Sequence, residues 1–199
     1  MKFSLFAGDL CDVEAEVLCT STNPRLSLAM GTGGAVRSRG GFGILRDCEA
    51  IVDAEFRRSG RRGLPAGSAH LTGAGSLPAK AIVHCVASDE THRSSVDIVR
   101  RCVQNALAIA DVNRFASVAM PLFGAGHARL KFDRVVRVMA ETLRDAATAV
   151  RHVVIVVFDD ERVDDAAELI RSVVPSADVD IQRSSQAAEE TLSLWSTWS

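Results

Sequence analysis

The stretch "VLCTSTNPRLSLAMGTGGAVRSRGG", Val17 to Gly41, passes from a short apolar run through an Asn-Pro to glycines at Gly31, Gly33, Gly34, Gly40 and Gly41. An apolar run, a loop and then a long helical pattern is the order in which a buried strand hands over to a helix in a layered α/β protein. Ligands in such proteins bind beyond the carboxyl ends of the strands, where loops lead into helices. Glycine lets the backbone approach a ligand and take positive φ, and consecutive amides at a helix start form an anion site. The stretch therefore predicts a phosphate-binding loop. It is not a Walker loop, because GxxxxGK(S/T) is absent. Nor does "GTGG" meet the dinucleotide fingerprint, which also wants an acidic residue about 20 residues on. Glycines that merely turn the chain are the competing reading.

A second stretch repeats the arrangement. "PLFGAGHARL", Pro121 to Leu130, follows an apolar run, carries Gly124 and Gly126 in its turn, and precedes another helical pattern. Two such loops can hold two phosphates from opposite sides, so a diphosphate is expected rather than a monophosphate.

Working outward, short apolar runs alternate with helical patterns along the whole chain, as an α/β layered fold requires. Strands are expected at Lys2 to Gly8, Glu16 to Ser21, Gly67 to Gly73, Ala81 to Ala87, Ser117 to Leu122 and His152 to Phe158. Helices are expected at Gly43 to Ser59, Ser94 to Asn113, Lys131 to Ala149 and Arg162 to Val173. The second has Val96, Val99, Val103, Leu107 and Ala110 at three-and-four spacing, the stripe of an amphipathic helix. After Pro175 the chain turns polar. The expected organisation is one domain over 1–175 and a loosely held tail over 176–199, with two tryptophans near its end.

The totals agree with one domain. The chain has 199 residues, of which 47% are hydrophobic and 24% charged, and a formal net charge of −2. Such a balance supplies no electrostatic reason to expect nucleic acid as the main partner. The basic cluster Arg57, Arg58, Arg61 and Arg62 reads first as a solvated helix end, where cations suit the dipole, and only weakly as a contact for an anionic partner. Five cysteines, Cys11, Cys19, Cys48, Cys85 and Cys102, form no CxxC pair, so neither a disulfide framework nor a zinc site is suggested. No other metal-ligand spacing is present, and no cofactor is implied. "MKFSLFAGDLCD" lacks the long apolar run of a secretory signal, and no apolar stretch reaches the roughly 18 to 20 residues that span a bilayer. A cytoplasmic protein without a membrane partner is the economical expectation.

Taken in order, these segments resemble a macro domain, the module that binds ADP-ribose, over Met1 to Val173. "GDLCDVEAEVLCTSTNPRL" resembles the family's "GDIT" followed by its "VNAAN" turn. "MGTGGAVRSRGG" resembles "GGGVAxAIxxAGG", "AIVHCVA" resembles "xIIHxVxP", "PLFGAG" the family's "STG" loop, and "VVIVVFDDE" its last core strand. The resemblance implies a three-layer α/β/α fold with a mixed, mainly parallel sheet of about six strands. It also implies roles. Asp9 would accept a hydrogen bond from the adenine amino group and the Leu10 amide would touch the ring, although Asp9 could equally cap a turn. Asn23 would bond the distal ribose, its alternative being an ordinary Asn-Pro turn; Thr20 replaces the first asparagine of the motif. Gly31, Thr32, Gly33, Gly34, Ala35 and Val36 would wrap one phosphate, and Gly124, Ala125 and Gly126 the other. Phe158 would stack on adenine or else lie in the core.

The family's pattern also breaks here. One hydrolase branch carries an aspartate ten residues after the asparagine, where this chain has Gly33, and another carries one past the second loop, where it has Ala128. Glycine and alanine can neither deprotonate water nor stabilise an oxocarbenium. The expectation is therefore a reader of ADP-ribose or of an ADP-ribosylated macromolecule. One alternative is an ADP-ribosyl hydrolase or ADP-ribose-1″-phosphate phosphatase acting through His127, or through a water on Asn23 activated by the substrate diphosphate. Another, less favoured, is a nucleic-acid or protein scaffold using the four arginines with Arg37 and Arg39. His84 is expected to be a core histidine bonded to backbone, and Asp159 and Asp160 to cap the last helix.

Overall fold

Six of the apolar runs form strands: β1 (Lys2–Ala7), β2 (Val17–Thr22), β3 (Ala69–Gly73), β4 (Ala81–Val86), β5 (Ser117–Pro121) and β6 (His152–Val157). The computed structural model describes residues 1–177 and 179–184. A seventh strand, β7 (Val179–Arg183), lies in the segment read from sequence as tail, and completes one sheet in the order β3-β4-β2-β5-β6-β1-β7. Only β3 is antiparallel to its neighbour; every other pairing is parallel. β7 escaped the pattern because it is an edge strand in which Val179 alone is buried, so "VDIQR" carries no apolar run. The tryptophans of the tail, Trp195 and Trp198, lie outside the described residues.

Among the described residues five helices flank the sheet: α1 (Gly31–Gly40), α2 (Phe42–Ser59), α3 (Val96–Val112), α4 (Phe132–Arg144) and α5 (Val163–Val173). Because strand side chains alternate faces, the interior strands fill two cores. Val83, Cys85, Val153, Ile155 and Val157 pack under α3, α4 and α5. Leu18, Ile82, Val86, Val154 and Val156 pack with Val36, Ile44 and Cys48 on the α1 and α2 side. The result is the expected three-layer α/β/α arrangement. α3 is the clearest product of its sequence: Ser95 caps it by accepting from the Ile98 amide at 3.2 Å, and Val99, Cys102, Val103, Ala106 and Ala110 are fully buried. Such a cap contributes about 1 kcal/mol, and each of the larger apolar side chains about 1.5–3 kcal/mol.

α1 is the element that the periodicity did not announce. Its ten residues include four glycines, and Val36 is its single buried apolar side chain. It forms because it must pack close: a Cβ on Gly40 would run into Ile44 and Leu77. His84 corrects another expectation. It is fully buried, but its ring nitrogens meet side chains rather than backbone: Thr20 Oγ1 at 3.1 Å, Thr72 Oγ1 at 2.8 Å and Cys48 Sγ at 3.6 Å. Burial pushes its pKa down from 6.5 to about 4.

Candidate ligand cleft

Parallel strands carry their carboxyl ends to one edge, and the pairing register decides what meets there. Ala7 lies opposite Val157, so the Gly8–Asp9 turn after β1 sits beside Phe158 after β6, tied by the Gly8 amide donating to the Val157 carbonyl at 3.0 Å. Next along the sheet comes β5 with the Gly124 loop, and then β2 with Asn23 and the start of α1. The candidate residues therefore form a row across β1, β6, β5 and β2. Three strand spacings of about 4.8 Å make that row about 14 Å long.

At the β1 end, Asp9 has divided its carboxylate. Oδ1 accepts from the Cys11 amide at 2.8 Å, capping a 3₁₀ turn over Leu10–Asp12, while Oδ2 lies 3.8 Å from Arg39 Nη1. Arg39 in turn donates to Asp12 Oδ1 at 2.7 Å. Asp9 is thus a turn cap with a second oxygen still able to accept. Leu10 is buried, and burial first, then the Asp9 charge, pushes the Cys11 thiol up to about 12, so it stays protonated. Phe158 is not core: 83% of it is exposed, the largest exposed apolar group at this edge. Neither aspartate caps α5 as expected: Asp159 accepts from the Glu161 amide at 3.2 Å and caps the 3₁₀ turn Asp160–Arg162, while Asp160 pairs with Arg183 of β7.

At the β2 end the glycine segment is a helix start, not an open loop. Met30 is the N-cap and supplies no side-chain acceptor, which leaves the amides of Gly31, Thr32 and Gly33 without helical partners. The Gly34 amide donates to the Met30 carbonyl at 3.1 Å, Ala35 follows it in the helix, and Val36 points into the core. Thr32 Oγ1 accepts from the Ser21 amide at 3.2 Å, pinning α1 to β2. Asn23 makes its turn, with Oδ1 accepting from the amides of Arg25 at 3.0 Å and Ser27 at 3.2 Å. Its Nδ2 has no acceptor among the described residues and remains a donor. A Cβ on Gly33 would lie 3.2 Å from Leu28 Cδ2 and 3.3 Å from Leu28 Cα, so the place of a catalytic carboxylate is closely approached as well as chemically empty.

Between the two ends, the β5–α4 loop is irregular. Gly124 takes φ +78°, and a Cβ there would come within 2.6 Å of Ser94 Oγ. Ser94 Oγ is buried without a hydrogen-bond partner among the described residues, a prop that the sequence reading missed because it comes from another loop. The Ala125 amide donates to Leu122, while those of Gly124, Gly126 and His127 find no acceptor among the described residues. Gly126 has open space where a Cβ would stand, and His127 is exposed. Among the described residues no three His, Cys, Asp or Glu side chains gather as a metal site would need, and no helix is long and apolar enough to cross a membrane.

The chain and its fold are matched by a known family. The macro domain family model matches residues 19–139, and the chain belongs to that family. The matched span contains Asn23 and both glycine segments, whereas Asp9 and Phe158 lie outside it. A macro domain-containing protein of Streptomyces nogalater is 33% identical over 159 residues, covering 78% of this chain and 84% of that relative. O-acetyl-ADP-ribose deacetylase 1 of Pantoea vagans is 28% identical over 169 residues, covering 82% of this chain and 95% of that protein. Among solved structures, a mutant of the Oceanobacillus iheyensis macrodomain with ADPR superposes with a TM-score of 0.78 at 20% identity, over 86% of this chain and 93% of that one. At that identity the likeness concerns the fold.

Proposed function

We propose that this chain is a reader of ADP-ribose, free or carried on a macromolecule, that binds without cleaving it. The observation that carries the proposal is the pair of unpaired amide sets, Gly31 to Gly33 on one side and Gly124, Gly126 and His127 on the other, which open on adjacent strands and suit the two phosphates of one diphosphate. Adenine then falls at the β1 and β6 end, with Phe158 to stack on it and Asp9 Oδ2 to accept from its amino group. The distal ribose falls at the β2 end, where Asn23 Nδ2 donates to a hydroxyl. Gly33 and Ala128 supply no general base, which favours reading over hydrolysis. Five buried free thiols suit the reducing conditions of a cytoplasm.

The second reading, hydrolysis of an ADP-ribosyl ester or phosphate, is favoured by one specific observation: His127 is exposed in the second loop with no hydrogen-bond partner among the described residues, able to act as acid or base. The relative from Pantoea vagans, named a deacetylase, gives that reading a precedent at 28% identity. Calorimetric titration with ADP-ribose, against ADP and AMP, tests the pocket, with micromolar or tighter binding that needs the distal ribose as the expected result. No heat and no thermal shift at millimolar ligand would remove the ADP-ribose reading. A cleavage assay on ADP-ribosyl protein and O-acetyl-ADP-ribose, with His127→Ala as control, then separates reader from hydrolase.

A further inference from the structure

The described chain ends beside the β1 end of the cleft. β7 runs parallel to β1, and its last residues are held on both sides: the Ser184 amide donates to the Ala7 carbonyl at 3.0 Å, and Arg183 pairs with Asp160 and, at 3.6 Å, with Asp164. Ser184 lies so close to the turn before Asp9 that a Cβ on Gly8 would stand 2.9 Å from Ser184 Cβ. β7 is two strands from β6, which puts Phe158 about 10 Å away. The Phe158 ring is 83% exposed there, and Asp9 Oδ2 is approached only by Arg39, at 3.8 Å. Residues 185–199 lie outside the described residues, but their sequence has a clear division. Ser185 to Thr191 include no large apolar residue, and then come Leu192, Leu194, Trp195 and Trp198. Trp195 stands eleven residues beyond Ser184. Such a length spans at most about 40 Å, so it reaches Phe158 with chain to spare.

We propose that residues 192–198 fold back onto this end of the cleft and seat a tryptophan in the adenine subsite, so that the chain competes with its own ligand. The inference rests on the reading of Phe158 and Asp9 as that subsite. What they offer an adenine is a face to stack on and an acceptor for an N–H donor. An indole fits the same pair, being a flat bicyclic ring whose one polar group is an N–H donor. One face of Phe158 cannot hold both rings. Burying such a side chain removes roughly 150–250 Å² from water, and a short tether holds it at an effective concentration on the order of millimolar. A seat filled about nine-tenths of the time weakens the apparent affinity for an adenine ligand about tenfold. The glycine segments lie farther along the row and stay open, so a diphosphate that docks on them brings its adenine up to displace the indole.

Trp195 and Trp198 are the only tryptophans of the chain, so tryptophan emission from the full chain reports on this segment alone. ADP-ribose is expected to move that emission to the red and to raise its quenching by acrylamide, as the indole passes into water; Phe158→Ala should do the same without ligand. Trp195→Ser with Trp198→Ser should tighten ADP-ribose and ADP about tenfold in calorimetry and leave ribose phosphate within about twofold, because ribose phosphate does not use the adenine subsite. The two single variants show which indole takes the seat. Equal ADP-ribose affinity in the parent and the double variant, weaker binding by the double variant, or emission that bound ADP-ribose does not move overturns this proposal alone. An affinity gain that vanishes on dilution of the protein overturns the contact within one chain in favour of the same segment from a second copy. Binding by the double variant where the parent shows none supports the proposal in its strongest form. Failure of both to bind ADP-ribose overturns the pocket reading and this proposal with it.

Discussion

The two glycine segments look alike as letters and differ as physical objects. Gly31 to Gly33 present their amides because they are the first turn of α1, where an α-helix has no acceptors to offer, so their direction is set by the helix axis. Gly124, Gly126 and His127 present theirs from an irregular loop, held by a positive φ at Gly124 and by Ser94 pressed beneath it. One proposed anion site is a by-product of regular structure, and the other depends on a contact between two loops. Equal glycine content therefore does not mean equal tolerance of change.

The largest expected effect breaks the second site directly. Gly126→Glu places a carboxylate where open space now lies, and ADP-ribose binding should fall a hundredfold or more while the thermal unfolding midpoint stays near that of the parent; unchanged affinity in calorimetry would show that the loop does not hold a phosphate. The segments should also differ in their response to pH, since β2, which leads into α1, is backed by the buried His84, whereas among the described residues no other buried histidine is present to lie behind the β5 loop. The folded chain keeps His84 neutral, with its pKa at about 4 against 6.5. The unfolded chain thus binds more protons as pH falls, so the contribution is complete above about 6.5 and declines through that window to about pH 4. The loss is up to about 3 kcal/mol. Denaturant unfolding from pH 7 to 4 measures it, and His84→Gln should flatten that limb; an unchanged slope would mean that His84 is not the group responsible.

Gly124→Ala sharpens the comparison further. Positive φ and the approach to Ser94 together should cost about 2 kcal/mol in urea unfolding, while Gly126→Ala, with nothing within 4 Å, should be close to neutral. Equal costs at the two positions would contradict the role of Ser94. The smallest effect lies at the far end of the row. Asp9→Ala should weaken ADP and ADP-ribose about tenfold and spare ribose phosphate, with about 1 kcal/mol of stability lost because the same carboxylate caps the turn at Cys11. Equal weakening of ribose phosphate would move Asp9 out of the adenine subsite.

Much of the fold was legible. Six strands and four helices lie within a few residues of their expected bounds because their apolar residues repeat at the spacing of the element they form. α1 and β7 were not, for one shared reason: close packing by glycine and pairing at a sheet edge leave no apolar period to read. The site divides in the same way. The glycines stood out by their place after apolar runs, and Asn23 and Asp9 by resemblance; the open amides at Gly31 to Gly33 and at Gly124, Gly126 and His127 are consistent with them. Ser94, the Arg39–Asp12 pair and the seat of Gly63 on Pro24 carried no signal, because each joins segments far apart along the chain.

By itself the sequence determined the layered α/β class, the places where strands hand over to helices, and the absence of carboxylates at Gly33 and Ala128. These follow from local periodicity and residue identity. Tertiary structure alone decided that Phe158 faces solvent, that His84 bonds to Thr20 and Thr72, and that Gly63 and Leu64, after α2, seat on Pro24. Those facts depend on strand order, register and the docking of loops, which bring together segments whose separation along the chain says nothing of their distance in space.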